Sequence, residues 1–281
     1  METVAIVGVG LIGASFGLAL RKSGFSGEII GVSSEPAIAG GLARGAISSA
    51  ASLEMAVSRA DLIYLAQPVD RILQTIPKLA EALRADSLVT DAGSTKQQIV
   101  ACALAHLAAD SFLGGHPIAG KEQRGPEAAD ADLFRNRPYV LTPTSSSIHH
   151  PRVEDFRKIL QAIGAKVVEI SALDHDFTVA FTSHLPQLLS TALAATLSKE
   201  EDDRLAQIFG TGLLDMTRLA LSSADLWSSI LGTNKTQVAG AVEALIKVLT
   251  DLKENLGECE MAYTFDRAAR FALELRQKSI G

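Results

Sequence analysis

His116 stands in the run Leu113-Gly114-Gly115-His116-Pro117-Ile118-Ala119-Gly120-Lys121. A neutral imidazole is a proton acceptor near pH 7. The glycines around it let another molecule approach the backbone closely. Alone, a His-Pro pair is an ordinary turn. What changes that reading lies at the start of the chain. Val4-Ala5-Ile6-Val7 is short, apolar and rich in branched side chains, as a buried parallel strand should be. Gly8-Val9-Gly10-Leu11-Ile12-Gly13 follows at once, then a helical stretch from Ala14 to Lys22 ended by Gly24, then a second strand over Glu28–Val32. Strand, glycine turn, helix and strand form the context in which Gly-x-Gly-x-x-Gly signals dinucleotide binding. Gly8 permits the tight turn, Gly10 admits the pyrophosphate, and Gly13 lets the helix pack close to the strand. The helix N-terminus, with Leu11 and Ile12 in its first turn, then faces the anion. A histidine beside a nicotinamide held there is placed to take the proton of an alcohol whose hydride leaves.

The end of the second strand bears on which dinucleotide is used. An acidic residue there would hold the ribose hydroxyls of NAD. This chain has Ser33-Ser34-Glu35 instead. The serines suit a 2′-phosphate, the arginine that usually accompanies NADP is missing beside them, and Arg44 is a later substitute. NAD and NADP both stay open.

The elements that must position these residues continue the alternation. Strands are predicted over Asp61–Ala66, Ser87–Asp91, Arg137–Thr142 and Lys166–Ile170, with helices over Ile72–Leu83 and Pro151–Ile163. Ser111-Phe112-Leu113 leads into His116. The pattern predicts an α/β fold: a Rossmann-like, doubly wound parallel sheet, followed by an all-helical C-terminal domain. Ligands of such sheets lie beyond the carboxyl ends of the strands. Gly8–Gly13, Gln67-Pro68, Ser94 and His116 all follow predicted strand ends and should converge on one crevice. After residue 171 the strand signals stop, and helices are predicted over Ala172–Lys199, Arg204–Ser222, Leu226–Leu231, Asn234–Asn255 and Glu258–Gln277. The predicted domains are 1–171, dinucleotide-binding, and 172–281, helical. Thr144–His150 reads as a polar loop with a solvated His149-His150 pair.

Composition bounds the function class. The chain has 281 residues, 47% hydrophobic and 21% charged, which suits a soluble enzyme of one or two domains. A net charge of -6 argues against nucleic acid or an anionic membrane as partner. Cys102 and Cys259 are far apart, show no metal-ligand spacing, and read as buried thiols of a reducing compartment. The N-terminus enters a strand with no basic leader, and no apolar run spans a bilayer, so a cytoplasmic protein is expected.

Together these residues resemble the prephenate/arogenate dehydrogenase family of tyrosine biosynthesis. The resemblance rests on Gly8-Val9-Gly10-Leu11-Ile12-Gly13-Ala14-Ser15, Asp91-Ala92-Gly93-Ser94-Thr95-Lys96 and Gly115-His116-Pro117-Ile118-Ala119-Gly120. In the helical half it rests on Ser183-His184-Leu185-Pro186-Gln187 and Asp215-Met216-Thr217-Arg218-Leu219-Ala220, with Trp227 beyond. It implies oxidative decarboxylation of prephenate to 4-hydroxyphenylpyruvate, with hydride passing to NAD or NADP. The alternative is an arogenate or dual-specificity cyclohexadienyl dehydrogenase.

On the matched positions, His116 is the expected base, and Ser94 bonds the substrate hydroxyl and orients the imidazole. Ser94 is equally placed to cap a helix. Lys96 either reaches cofactor or substrate or is a solvated first-turn lysine. Arg218 is the expected carboxylate clamp, or a partner of Asp215 on its own helix. His184 and Gln187, three apart, share a helix face; His184 contacts the ring carboxylate or cofactor, or is a core histidine. Trp227 walls the pocket or is simply core. Many family members have histidine where this chain has Gln187. A neutral donor there favours the keto group of prephenate over the ammonium of arogenate.

The apolar helices of the second domain suggest a homodimer, as the family forms, or a closed monomeric bundle. With so few residues after them, no fused regulatory domain is expected. Two rivals remain: another two-domain hydroxyacid or imine dehydrogenase, which would place a lysine in the helical half, and a non-enzymatic dinucleotide sensor.

Overall fold

The computed structural model describes residues 1–121, 123–200 and 203–280. The first elements are β1 (Thr3–Val7), α1 (Leu11–Lys22), β2 (Glu28–Val32), α2 (Glu35–Ala43), β3 (Ser49–Ala50), α3 (Leu53–Val57), β4 (Leu62–Leu65) and α4 (Val69–Leu79). They are followed by β5 (Leu88–Asp91), α5 (Gln97–His106), β6 (Phe112–Pro117), β7 (Pro138–Thr142), α6 (Pro151–Ala162) and β8 (Lys166–Glu169). Among the described residues, eight strands form one sheet in the order β3-β2-β1-β4-β5-β6-β7-β8. The reversal of strand order falls between β1 and β4, where a doubly wound sheet opens its ligand crevice.

The central strands β1 and β4 are apolar and buried because both faces are covered. Ile6 pairs in register with Tyr64, and Val7 with Leu65. Ile6 and Tyr64 point into a core with Phe16, Leu20, Leu113, Tyr139 and Phe156. Val7 and Leu65 point to the other side, among Ile72, Ile76, Val89 and Ile99. Phe16 stacks on Tyr64 with ring centroids 4.0 Å apart, fixing α1 against β4. Each such fully buried side chain stabilises the fold by about 1.5–3 kcal/mol.

The sheet is mostly, not wholly, parallel. β6 starts parallel to β5 at Phe112 and Leu113, then runs antiparallel to β7 from Gly114 to Pro117. His116 therefore lies inside a strand, not after one. Gly114 and Gly115 make the switch possible: a Cβ at 114 would stand 2.3 Å from Thr142 Oγ1, and one at 115 would stand 2.6 Å from the Asp91 carbonyl oxygen. The predicted polar loop before α6 holds a 3₁₀ turn over Ser147–His149, and His150 is buried instead of solvated. Its Nδ1 accepts the Arg152 amide at 3.2 Å and caps α6.

Beyond β8 come α7 (Ala172–Val179), a π-helical turn (Ala180–His184), α8 (Leu185–Leu197), α9 (Thr211–Thr217), a 3₁₀ turn (Arg218–Leu221) and α10 (Ala224–Thr233). The single helices predicted over 172–199 and 204–222 are thus each interrupted. These helices share a compact unit with the sheet, Met1–Lys235, and Thr236–Gly281 form a second. The division by compactness falls later than the predicted boundary at 171. The second unit is built on α11 (Lys235–Glu254) and α12 (Cys259–Ile280). It exposes Leu249, Leu256, Tyr263, Phe265 and Phe271. Of the two cysteines, Cys102 is half-buried and Cys259 exposed, against the expectation that both are buried. Among the described residues, no helix is long and apolar enough to cross a membrane.

Candidate active site

The glycine turn has the geometry a dinucleotide requires. Gly8 has φ 99°, a left-handed value that favours glycine. A Cβ at Gly13 would stand 2.0 Å from the Gly8 carbonyl oxygen, so helix and strand touch there. Gly10 differs: a Cβ there would meet nothing within 4 Å. That open space lies over the start of α1, which has no side-chain cap and no acidic residue in its first turn. The unpaired amides at this terminus suit an anion. These residues fit a dinucleotide pyrophosphate. Ser33 and Ser34 are exposed at the end of β2, and Ser34 precedes α2 without a side-chain capping bond. Arg44 is turned elsewhere: its guanidinium donates to the Glu127 and Ala129 carbonyl oxygens at 3.0 and 2.8 Å. Gln67 accepts a hydrogen bond from Thr75 at 2.9 Å, and Pro68 stands exposed at the head of α4.

The loop after β5 is organised by Asp91. Its carboxylate accepts the amides of Gly93 at 2.8 Å and Gly115 at 3.0 Å. Lys96, with no exposed surface, pairs with the same carboxylate and donates to the Gly115 carbonyl oxygen at 2.7 Å. Burial pulls the ammonium pKa down and Asp91 opposes it. Lys96 is therefore neither solvated nor turned toward a ligand. It ties β5 to β6 one residue before His116.

His116 is half-buried, and its Nδ1 lies 2.8 Å from Nε2 of His175. His175 Nδ1 in turn lies 2.8 Å from Asp176 Oδ1. Asp176 also accepts the backbone amides of Lys96 at 2.7 Å and Gln97 at 2.9 Å. This carboxylate caps α5, the alternative role open to Ser94; Ser94 sits half-buried in the loop before it. The ring partner of His116 is likewise His175, not Ser94. Burial, then the neighbouring His175, Lys96 and His184, hold the His116 pKa well below the usual histidine value. Burial also tends to raise Asp176, but the His175 bond and two amides outweigh it and leave the pKa low.

His184 ends the π-helical turn, is almost fully buried, and presents its ring to Trp227 edge-on at 5.9 Å between centroids. Such turns inside helices are frequent at functional sites. Burial lowers its pKa to about 4. Asn234 Nδ2 donates to the Asp176 carbonyl oxygen at 2.7 Å and lies 3.4 Å from His184 Nδ1. The buried indole N–H of Trp227 has no partner within the described residues. Arg218 is exposed at the junction of α9 and the 3₁₀ turn. Gln187 is buried, and its amide N–H groups donate to the Leu219 carbonyl oxygen at 2.8 Å and to Thr191 at 3.3 Å. The expected free donor is thus already engaged, and what Gln187 retains is its oxygen, an acceptor.

The structure brings His116 and His184 into one electrostatic neighbourhood and adds two residues the motifs did not point to, His175 and Asp176. Asp176 left a faint signal. Ser171 already caps α7 by accepting the Asp174 amide, so a further aspartate two residues on, a poor helix former, had no local use.

Comparisons with known proteins agree along the whole chain. Residues 16–169 match the family model described as prephenate dehydrogenase, nucleotide-binding domain, and residues 171–266 match prephenate dehydrogenase, dimerization domain. The chain is 32% identical over 289 residues to prephenate dehydrogenase from Bacillus subtilis, covering 99% of this chain and 77% of that protein. Among solved structures it is similar to prephenate dehydrogenase from A. aeolicus in complex with hydroxyphenyl propionate and NAD+. That match has a TM-score of 0.87 and 32% identity and covers 100% of this chain and 98% of the other. It is also similar to Synechocystis arogenate dehydrogenase, with a TM-score of 0.83, 30% identity and coverage of 98% and 99%.

Proposed function

This chain belongs to the prephenate dehydrogenase family, an NAD(P)-dependent oxidoreductase family, and on that premise we propose that it converts prephenate to 4-hydroxyphenylpyruvate by oxidative decarboxylation. The observation that supports this best is His116. It is a half-buried imidazole kept neutral by burial, on β6, two strands from the β4 edge of the dinucleotide crevice.

The α1 amides and the space over Gly10 would hold the pyrophosphate of a bound dinucleotide. The bound nicotinamide supplies the hydride acceptor. His116 accepts the proton of the ring hydroxyl as the C–H electrons leave with the hydride. The ring carboxylate is then lost as carbon dioxide, its C–C electrons complete the aromatic ring, and the proton returns to the phenolate oxygen. Ser94 bonds the hydroxyl, His184 and Arg218 hold carboxylates, and Trp227 walls the pocket. Aromatisation drives the step, so geometry matters more than base strength.

A second reading, arogenate, is favoured by one observation. With its N–H groups on Leu219 and Thr191, Gln187 offers an oxygen, which suits an ammonium better than a ketone.

The domain roles we assign are dinucleotide binding for 1–171 and substrate binding with dimerisation for 172–281. The exposed apolar side chains of α11 and α12 support a homodimer. The reaction belongs in the cytoplasm. The test is product analysis with prephenate and NAD or NADP. Equimolar reduced cofactor, carbon dioxide and 4-hydroxyphenylpyruvate are expected, and reduction without carbon dioxide would contradict the reading.

A further inference from the structure

We infer that His175 and Asp176 are positioning residues that fix the tautomer of His116, so that its lone pair stands on Nε2 and its hydrogen on Nδ1. The inference rests on the reading of His116 as the base.

Asp176 is ionised and offers only acceptor atoms. It already receives the Lys96 and Gln97 amides, so the contact at 2.8 Å with His175 Nδ1 requires the hydrogen on that nitrogen. Burial keeps His175 neutral, so its Nε2 then carries a lone pair. The 2.8 Å contact between that Nε2 and His116 Nδ1 in turn requires a hydrogen on His116 Nδ1. A neutral His116 can then accept a proton only at Nε2. When it does, the new imidazolium still donates Nδ1–H to His175, with the Asp176 charge behind it. The groups facing this chain are Lys96 and Asp91 from the β5–α5 segment and His184 from the π-helical turn.

The direction of the chain also matters. Without Asp176 the hydrogen of His175 is free to move to Nε2, where it would point at His116 Nδ1. His116 would then carry its hydrogen on Nε2 and present no base to a substrate. The Asp176 amide contacts hold the carboxylate in place, so the tautomer is set by the fold and not by the substrate.

The wild-type protein alone tests this. In ¹⁵N-histidine-labelled protein bound to NAD, His116 is assigned by comparison with His116→Asn. Its Nδ1 is expected to be protonated and its Nε2 unprotonated at neutral pH; the reverse assignment would overturn the inference. Variants supply the second arm. His175→Leu and Asp176→Asn should lower kcat on the order of 10²–10⁴-fold with KM little changed. His175→Gln keeps an acceptor toward His116 and a donor toward Asp176, and should stay within about tenfold of wild type. Dinucleotide binding, followed by nicotinamide fluorescence, reports that each variant is folded. If His116→Asn is inactive while His175→Leu and Asp176→Asn keep wild-type kcat, the positioning role fails and the base stands. If His116→Asn keeps wild-type kcat, the base reading itself fails.

Discussion

Asp176 accepts the backbone amide of Lys96 at 2.7 Å from a helix 80 residues further along the chain. One carboxylate thus caps the helix after β5 and holds the imidazole beside the proposed base. The side chain of that same Lys96 is buried beneath the site, on Asp91 and Gly115. The site is consequently fastened to the sheet from below and to the helical segment from the side.

The Lys96–Asp91 pair is fully buried, so removing one partner leaves an uncompensated charge or unmade bonds. Lys96→Met or Asp91→Asn should destabilise the protein by about 3–5 kcal/mol, measured by urea denaturation. A loss below ~1 kcal/mol would mean that the pair does not hold β5 to β6.

Catalysis by neutral His116 should persist into mild acid. Its pKa is depressed by burial and three neighbouring cationic or titratable groups, so the acid limb of kcat/KM is expected below the ordinary value of 6.5. A limb at or above 6.5 would contradict the assignment.

Stability should fall over a similar range. His116, His175 and His184 all have folded pKa values below that of the unfolded chain. The unfolded state therefore binds more protons, and stability is lost as pH drops from 6.5 toward the folded values. For His184, lowered from 6.5 to about 4, the full loss is ~3 kcal/mol by pH 4. Thermal melts between pH 7 and pH 5 should show Tm falling steadily; a flat Tm would argue that these rings titrate normally.

Two glycines of the nucleotide turn should separate binding from folding. Gly10→Ala places a methyl in open space, so Tm should hold while NAD affinity falls on the order of tenfold. Gly13→Ala collides with the Gly8 carbonyl and should lower Tm as well. Calorimetric titration beside thermal denaturation distinguishes them.

Gln187 bears on substrate choice. Gln187→Glu replaces the N–H groups that meet Leu219 with a second oxygen and adds a charge. The ratio of kcat/KM for arogenate over prephenate should rise on the order of tenfold. No change in the ratio would remove the residue from specificity.

Much of this was legible in the sequence, for identifiable reasons. The central strands announce themselves because burial on both faces makes Val4–Val7 and Leu62–Leu65 wholly apolar. The glycine turn is legible because a left-handed φ and close packing admit few alternatives. The antiparallel entry of β7 was not, since strand direction leaves no mark on residue pattern. β3 has two residues and was too short to see. Lys96 read as a ligand contact or a solvated lysine, and not as a buried tie, because its partner Asp91, five residues earlier, meets it only through the shape of the loop. His175 and Asp176 were hidden in a helical pattern, their meaning set by contacts 59 and 80 residues away.

The most direct measurement is the initial rate of nicotinamide reduction by the purified protein, with prephenate or arogenate and with NAD or NADP. Rapid reduction is expected with prephenate and at least one cofactor, abolished by His116→Asn while cofactor binding is retained. Tight cofactor binding with no reduction in any of the four pairings would contradict it.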